Sequence, residues 1–528
     1  MDLKPTVASE ASQDDSPQSV EQTPAHGSEE PTRGVVIMGA GPAGLTAAYE
    51  LMRHGLSSIT LEKDPRFVGG ISRTEEHRGY RFDIGGHRFF SKSQEVEDFW
   101  TEMLGDALLV RPRLSRIFYQ GKYFDYPLKA SNALLNMGPI ETIRCISSYV
   151  WARVHPYRQP QNLEEWVTNQ FGHRLFEIFF KTYNEKVWGI SAKELSADWA
   201  AQRIKGLNLT EAIKGALLPQ RKPKNGDRGA VIKTLIDEFR YPRRGPGEMW
   251  ERVAERLRAG GNLVALGQEV VAVRRDGGRV RDVVVRDRAS GQTETISGTH
   301  FISTLPIREL IHTLEPAPPP AVVAAADQLK YRDFLTIAMV INRQRVFPDN
   351  WIYIHDPTVK VGRIQNFKAW SPYMAPDDQT TCLGLEYFCF EGDGLWSAPD
   401  EELVALARRE LAQLGMCAPE EALWGVVVRQ PKAYPVYDDV YKQHLATIRR
   451  WVEEALPNLA LVGRNGMHHY NNQDHSMMTA LLAARNIATG SHYDPWKVNT
   501  DAEYHEEARF EDEDTSGRQM PRLANVEK

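Results

Sequence analysis

Cysteine is scarce: the chain has four in 528 residues, at positions 145, 382, 389 and 417, with no repeated spacing. That usage implies neither a disulfide framework nor a zinc site, and it fits a reducing, cytoplasmic setting. Long apolar runs are missing too. No stretch of about 18 apolar residues occurs, so no transmembrane helix and no membrane insertion are expected. The opening Met-Asp-Leu-Lys-Pro-Thr has no apolar core, so no secretory leader is read. No basic run is dense enough to make nucleic acid the first partner to consider. Internal repeats are absent.

Charge is unevenly placed. Residues 1–33 hold seven acids against two bases, and 501–528 hold nine acids against four, while the whole chain is at −6. The remaining body is mildly basic, which suits anionic cofactors and substrates. The first 33 residues are rich in Ser, Glu, Gln and Pro and poor in large apolar groups. They cannot bury enough surface to offset their ordering entropy, so a disordered tail is expected, and a flexible acidic tail closes the chain.

What is present begins with Gly39-Ala-Gly-Pro-Ala-Gly44. It follows the apolar run Gly34–Met38 and opens the helical pattern Leu45–Leu51. Gly39 and Gly41 permit the tight turn and close approach to a pyrophosphate. Ala43 sits in that turn, and Gly44 lets helix and strand pack. A second strand, Ser58–Glu62, ends in an acid suited to a ribose diol, followed by Lys63. Next comes Val68-Gly-Gly70-Ile71-Ser72-Arg73, a second glycine turn with a cation. Together these point to an ADP-containing dinucleotide, and the extension through Gly70 and Arg73 to FAD rather than NAD.

Further along, 131–216 is mostly helical by period, with Leu163–Phe171 and Arg174–Lys181 as amphipathic pieces. Residues 219–230 break the pattern and read as a mobile loop. A hairpin is expected over Val270–Val285 around Asp276-Gly277-Gly278. Phe301–Pro306, Thr336–Ile341 and Leu459–Arg464 read as buried strands, and Ser476–Ile487 as a last helix.

Several side chains carry chemistry. Gly85-Gly86-His87 offers backbone that can approach a flat ring, with an imidazole beside it. Asn184 and Trp188 are four apart on a helical pattern and can share a face. Arg203 and Arg332 are candidate diphosphate clamps, because guanidinium pairs with phosphate through two donors. Tyr434 and Tyr470 can donate phenol hydroxyls. His468, His469 and His475 lack a carboxylate or cysteine pattern that would complete a site, so no metal is expected. Gly463, Arg464, Asp474 and Ser476 resemble a second contact to a flavin's ribityl–phosphate arm.

Over residues 34–490 the chain resembles the UDP-galactopyranose mutases, within the wider amine oxidase and protoporphyrinogen oxidase-like group of flavoproteins. The resemblance rests on Gly39–Gly44, Gly85-Gly86-His87, Tyr183-Asn184 with Lys186-Val187-Trp188, Arg203, Tyr331-Arg332, Tyr434-Pro435, Tyr470 and Asn472–Ser476. Arg88 and Tyr241–Trp250 depart from the family's eukaryotic branch, which leaves the sugar and base open. The resemblance implies an α/β fold: a Rossmann-type FAD-binding domain with an interleaved helical domain and a mixed or antiparallel-sheet substrate domain. It implies segments at 34–130 (FAD-binding), 131–218 (helical), 219–315 (loop, then FAD-binding), 316–440 (sheet-rich) and 441–496 (FAD-binding), between tails 1–33 and 497–528.

It further implies a cytoplasmic enzyme of cell-wall or polysaccharide biosynthesis that interconverts pyranose and furanose forms of a nucleotide-diphosphate sugar. Reduced flavin N5 would attack the anomeric carbon as the diphosphate leaves, so the net reaction is redox-neutral. NAD(P)H is the expected external reductant. His87, Arg203 and Arg332 are expected to be catalytic, and Asn184, Trp188, Tyr434 and Tyr470 to bind substrate. A homo-oligomer is left open. The alternatives are an FAD-dependent oxidoreductase of the amine oxidase, desaturase or protoporphyrinogen oxidase kind, and a flavin-bound protein without turnover.

Overall fold

Two large sheets organise the chain. In the computed structural model, residues 33–499 are described except 127, 129, 198–237 and 439. The first sheet centres on Arg33–Met38, which pairs in parallel with Ser58–Glu62 on one side and Thr293–Ser303 on the other. Leu263–Leu266 and Leu459–Leu461 extend it in parallel. Val35–Met38 and Ser58–Leu61 are buried at every position, as parallel strands covered on both faces require. The sheet therefore draws strands from three separate stretches of chain. The expected hairpin is present as Gln268–Asp276 and Arg279–Asp287, turning at Gly277 and Gly278.

The helix Pro42–Arg53 packs on this sheet beside Gln473–Thr489 and Gly247–Ala259, around Leu45, Ala48, Trp250 and Leu481. Gly44 is a packing requirement: a Cβ there would stand 1.9 Å from the Gly39 carbonyl oxygen.

The second sheet runs Ala422–Pro435, Tyr331–Ile341, Thr381–Cys389, Arg363–Asn366, Trp351–Ile354, Ser115–Tyr119, Lys122–Asp125. All pairings are antiparallel except Trp351–Ile354 with Ser115–Tyr119, so the sheet is mixed. Tyr331–Ile341 is buried throughout, as a central strand must be. The fold is α/β with mixed sheets.

Between Lys122–Asp125 and residue 197 the chain is helical: Ala130–Met137, Pro139–Val154, Leu163–Phe171, His173–Phe176 and Thr182–Trp188. Asn162 caps Leu163–Phe171 by accepting from the Glu165 N–H at 3.0 Å. A π-helical turn, Glu177–Lys181, joins the last two helices. Arg203, the 219–230 loop and residues 1–32 and 500–528 lie outside the described residues. The described chain runs on into the expected C-terminal tail as far as Asn499, whose amide donates to the Tyr470 carbonyl at 3.1 Å. No described helix is long and apolar enough to cross a membrane.

Candidate active site

A cavity of about 1100 Å³ runs from the carboxyl ends of the first sheet's strands to the second sheet. Its first part is the glycine turn. Gly39, at φ +103°, donates to the Leu61 carbonyl at 2.7 Å and carries the chain over the strand end. Gly41 precedes Pro42 at the helix start, and a Cβ on it would meet nothing within 4 Å. That open space is where a ligand's phosphates would lie, against the helix's free N–H groups. Ala43, Lys63, Gly70, Ile71 and Ser72 line the same part.

Glu62 lines it too, and its carboxylate is already engaged. It accepts from the Ala40 N–H at 2.8 Å and the Asp64 N–H at 2.9 Å, while burial pushes its pKa up. Arg73 is an internal tie: it bonds Glu75 at 2.9 Å, the Gly70 carbonyl at 3.1 Å and Gln430 at 2.7 Å. It thereby fastens the second glycine turn to the second sheet.

The third contact surface is Gly463 to Ser476. Gly463, Arg464, Asp474 and Ser476 all line the cavity, the first two from the short helix Gly463–Gly466 and the last two from the start of Gln473–Thr489. Two helix N-termini therefore face one cavity. Arg464 donates to the Asn471 and Ala433 carbonyls at 2.8 and 3.1 Å, and lies over the rings of Tyr434 and Tyr470 at 5.4 and 5.1 Å. The two phenol rings stack at 5.5 Å and 13°. Burial and the neighbouring Tyr470 raise the pKa of Tyr434, so its hydroxyl stays protonated and can donate.

Gly86 and His87 line the far part. A Cβ on Gly86 would stand 2.9 Å from the Gln365 amide nitrogen, so the loop can lie close to the second sheet only with glycine there. His87 Nε2 lies 2.9 Å from the Ile84 carbonyl. Burial, reinforced by Arg464 and Arg363, lowers its pKa to about 4, which keeps it neutral at neutral pH.

The strand Arg363–Asn366 supplies groups absent from the sequence-based reading. Arg363 lines the cavity and its Nε donates to Glu386 at 2.5 Å. Gln365 donates to the other Glu386 oxygen at 2.8 Å and accepts from Trp370 Nε1 at 3.0 Å. Burial alone would discharge Arg363, but Glu386 holds its pKa well above the usual value. Burial likewise pushes Glu386 up, and its bonds from Arg363 and Gln365 pull it back.

The structure places three expected substrate residues elsewhere. Arg332 does not line the cavity. It is buried, and it donates to the Val187, Lys186 and Phe388 carbonyls at 2.9, 3.2 and 2.9 Å, with Phe390 at 4.1 Å. The Lys186 and Val187 carbonyls close the helix Thr182–Trp188, where free acceptors attract a cation, and the Phe388 carbonyl belongs to the strand Thr381–Cys389. Arg332 is thus a clamp on a helix end, a correction to its reading as a diphosphate ligand. Asn184 donates to the Phe180 carbonyl at 2.8 Å, and Trp188 is buried 6.5 Å from Tyr470. Neither lines the cavity; Trp188 packs against the lining residue Tyr470. Tyr434 and Tyr470 do line it, and Arg203 lies outside the described residues.

His468 is buried against the Val436 carbonyl at 3.4 Å. Among the described residues, no three His, Cys, Asp or Glu side chains gather to hold a metal.

Comparison with known proteins agrees with this architecture. The description of flavin-containing amine oxidoreductases matches residues 42–488. The Escherichia coli dTDP-fucopyranose mutase is 25% identical over 172 residues, which is 31% of this chain and 44% of that protein. The thiamine thiazole synthase of Sulfolobus acidocaldarius is 57% identical over 37 residues, 7% of this chain and 14% of that protein. The chain matches less than half the length of each of these curated relatives.

Reduced UDP-galactopyranose mutase superposes with a TM-score of 0.74 at 24% identity, over 89% of this chain and 99% of that one. A putative protoporphyrinogen oxidase from Exiguobacterium sp. 255-15 gives 0.65 at 18% identity, over 87% and 100%. At these identities the likeness concerns the fold. With the family match spanning most of its length, the chain belongs to the flavin-containing amine oxidoreductases.

Proposed function

We propose that this chain is an FAD-dependent mutase that interconverts the pyranose and furanose forms of a nucleotide-diphosphate sugar. The observation that carries the reading is Arg363, a cation fixed by Glu386 on the same cavity as the glycine turn, beside Tyr434 and Tyr470. A guanidinium and two phenols form a donor set for a diphosphate. An amine substrate would meet a like charge there.

The residues present fit FAD. Gly41 leaves open space at a helix N-terminus, and Asn465 Oδ1 has no partner among protein groups. A second helix N-terminus, at Gln473, faces the same cavity. The volume exceeds the range of roughly 300–1,000 Å³ usual for a single small-ligand site, so cofactor and substrate have room together. When bound in reduced form, FAD supplies the nucleophilic nitrogen that a redox-neutral isomerisation requires.

The protein's part is positioning and charge. Arg363 binds the diphosphate and gains interaction as negative charge develops on it. Tyr434 and Tyr470 donate to its oxygens, and Arg464 holds the two rings in place. Neutral His87 fixes the Gly85-Gly86 backbone through the Ile84 carbonyl without adding a second cation. Arg332 positions the helix that carries Asn184 and Trp188, and Trp188 supports the wall at Tyr470. Arg203 belongs to the same proposed set, and NAD(P)H is the proposed reductant.

A second reading, a flavin oxidoreductase, is supported by the family itself and by the protoporphyrinogen oxidase-like fold. The test incubates dithionite-reduced protein, without oxygen, with a panel of nucleotide sugars. An isomer of unchanged mass supports the mutase. No isomer from any sugar, together with steady hydrogen peroxide formation from an amine or apolar substrate in air, overturns it in favour of the oxidoreductase.

A further inference from the structure

The helix Thr182–Trp188 presents an ammonium to a hairpin of the second sheet. The strands Trp351–Ile354 and Arg363–Asn366 pair antiparallel, and residues 355–362 join them. Lys186 Nζ donates to the Asp356, Val361 and Ile354 carbonyls at 2.6, 3.1 and 3.2 Å. Lysine has three donors, and here all three meet the backbone of one connection. Ile354 ends the first strand, and Val361 stands two residues before Arg363.

A second ion serves the same connection. Glu410, buried on the helix Asp400–Gln413, accepts from the Lys360 and Val361 N–H groups at 2.6 and 3.0 Å and from the Tyr387 hydroxyl at 3.0 Å. Val361 therefore gives its N–H to an anion and its carbonyl to a cation. Tyr183, one turn before Lys186, stacks on buried His355 at 5.0 Å and 8°. Burial lowers the pKa of Lys186 to about 8, against the pull of Glu410 and Asp356, while burial keeps the neighbouring His355 neutral.

Connections between strands ordinarily have freedom to shift. This one is pinned within two residues of the guanidinium that lines the cavity. Glu386 orients the tip of Arg363, and the pin fixes the backbone from which that side chain springs. Lys186 itself does not line the cavity. Misplacing a binding group by about 1 Å can cost on the order of 100-fold.

We propose that Lys186 is a positioning residue for Arg363: its ammonium ties the connection 355–362 to the helix Thr182–Trp188 and so sets where the guanidinium meets the anionic part of the ligand. The proposal rests on the reading of Arg363 as a diphosphate ligand.

The test is isothermal titration calorimetry of the full-length, flavin-loaded protein with uridine diphosphate and thymidine diphosphate as probes. Lys186→Met keeps an unbranched side chain and removes the charge. It raises Kd about 10-fold or more. Flavin content and melting temperature, measured alongside, report that the fold is intact. Arg363→Met with Glu386→Gln raises Kd about 30-fold or more. Adding Lys186→Met to that pair changes Kd less than about 2-fold, because nothing remains to be positioned. Between about pH 7 and 9 the probe's phosphates are already ionised. The wild-type Kd rises over that range as the ammonium discharges, and Lys186→Met removes the rise. Glu410→Gln, at the other polar group of Val361, is the second variant. It weakens binding in the wild type and is silent in the Arg363→Met, Glu386→Gln background.

Lys186→Met protein that binds both probes as the wild type does overturns the proposal. So does a loss of the same factor with and without Arg363, or a pH profile that Lys186→Met leaves unchanged. A different result identifies failure of the underlying reading: a wild type that binds neither probe, or an Arg363→Met, Glu386→Gln protein that binds them as tightly as the wild type, overturns Arg363 as a diphosphate ligand, and the positioning role falls with it.

Discussion

Two arginines, on the strands that flank Thr381–Cys389, carry different roles, and substitution separates them. Arg332 spends its donors on the carbonyls of Val187, Lys186 and Phe388, whereas Arg363 shares an edge with Glu386 and lines the cavity. On the proposed reading, Arg363→Ala lowers kcat/KM by roughly 30- to 1000-fold, the loss of about 2–4 kcal/mol of charged hydrogen bonding at a leaving group. Lysine restores part of it, because it keeps the charge and loses the planar fork. Alanine also strands Glu386 as a buried charge, so Arg363→Met with Glu386→Gln is the cleaner probe: steady-state kinetics fall while the melting temperature holds. Unchanged kcat/KM in the double variant would remove Arg363 from the site. Arg332→Ala behaves differently. It leaves three buried carbonyls without their cation and costs about 2–4 kcal/mol of stability in urea melts. The loss per flavin-loaded molecule is far smaller than for Arg363. A stable Arg332→Ala protein with abolished turnover would return that residue to substrate binding.

At the scale of elements, the glycine turn gives a paired prediction. Gly41→Val projects into open space, so the protein folds and binds little flavin, as absorbance of the purified protein reports. Gly44→Ala meets the Gly39 carbonyl at 1.9 Å, so soluble folded protein is lost altogether. A yellow Gly41→Val protein would show that the cradle lies elsewhere. This turn was legible because short-range geometry dictates residue type: Gly39 follows from its positive φ and Gly44 from its contact with the Gly39 carbonyl, while Gly41 leaves space open in front of the helix. The hairpin at Gly277-Gly278 and the helix Leu163–Phe171 were legible for the same local reasons. The inward-facing arginine was not. Arg332 and Arg363 both sit in strands, and which one reaches the cavity depends on strand order and register, set by pairing with distant segments. A signal did exist. Arg363 and Gln365 alternate with buried Ile364, and Glu386 is the lone charge in the buried strand Thr381–Cys389. Polar groups on one face of a buried strand need partners, and here they partner each other.

Across the whole molecule, buried histidines set the acid limit of stability. Burial lowers His355 to about 3 and His468 and His87 to about 4. Each folded value lies below the ordinary 6.5, so the unfolded chain binds more protons as pH falls. Their contribution is present above about pH 6.5 and is lost between there and about pH 3–4, on the order of 3 kcal/mol per histidine. Asp83, raised by burial to about 7, acts in the opposite sense: its contribution is present below its ordinary 3.8 and lost as pH rises through 7. His469, also lowered to about 4, acts with these three histidines, while Glu62 and Glu386, raised by burial, act with Asp83 against them. His468→Gln therefore narrows the drop in urea midpoint between pH 6.5 and 4, and an unchanged drop would contradict the burial of this ring as a neutral group. The central claim is that this member of an oxidoreductase family performs no net oxidation. The measurement that tests it most directly is the ratio of reductant consumed to isomeric product formed during sustained anaerobic turnover with the active nucleotide sugar. The account predicts a ratio near zero once the flavin is reduced, with product accumulating over many turnovers. One reductant oxidised per product formed would contradict it.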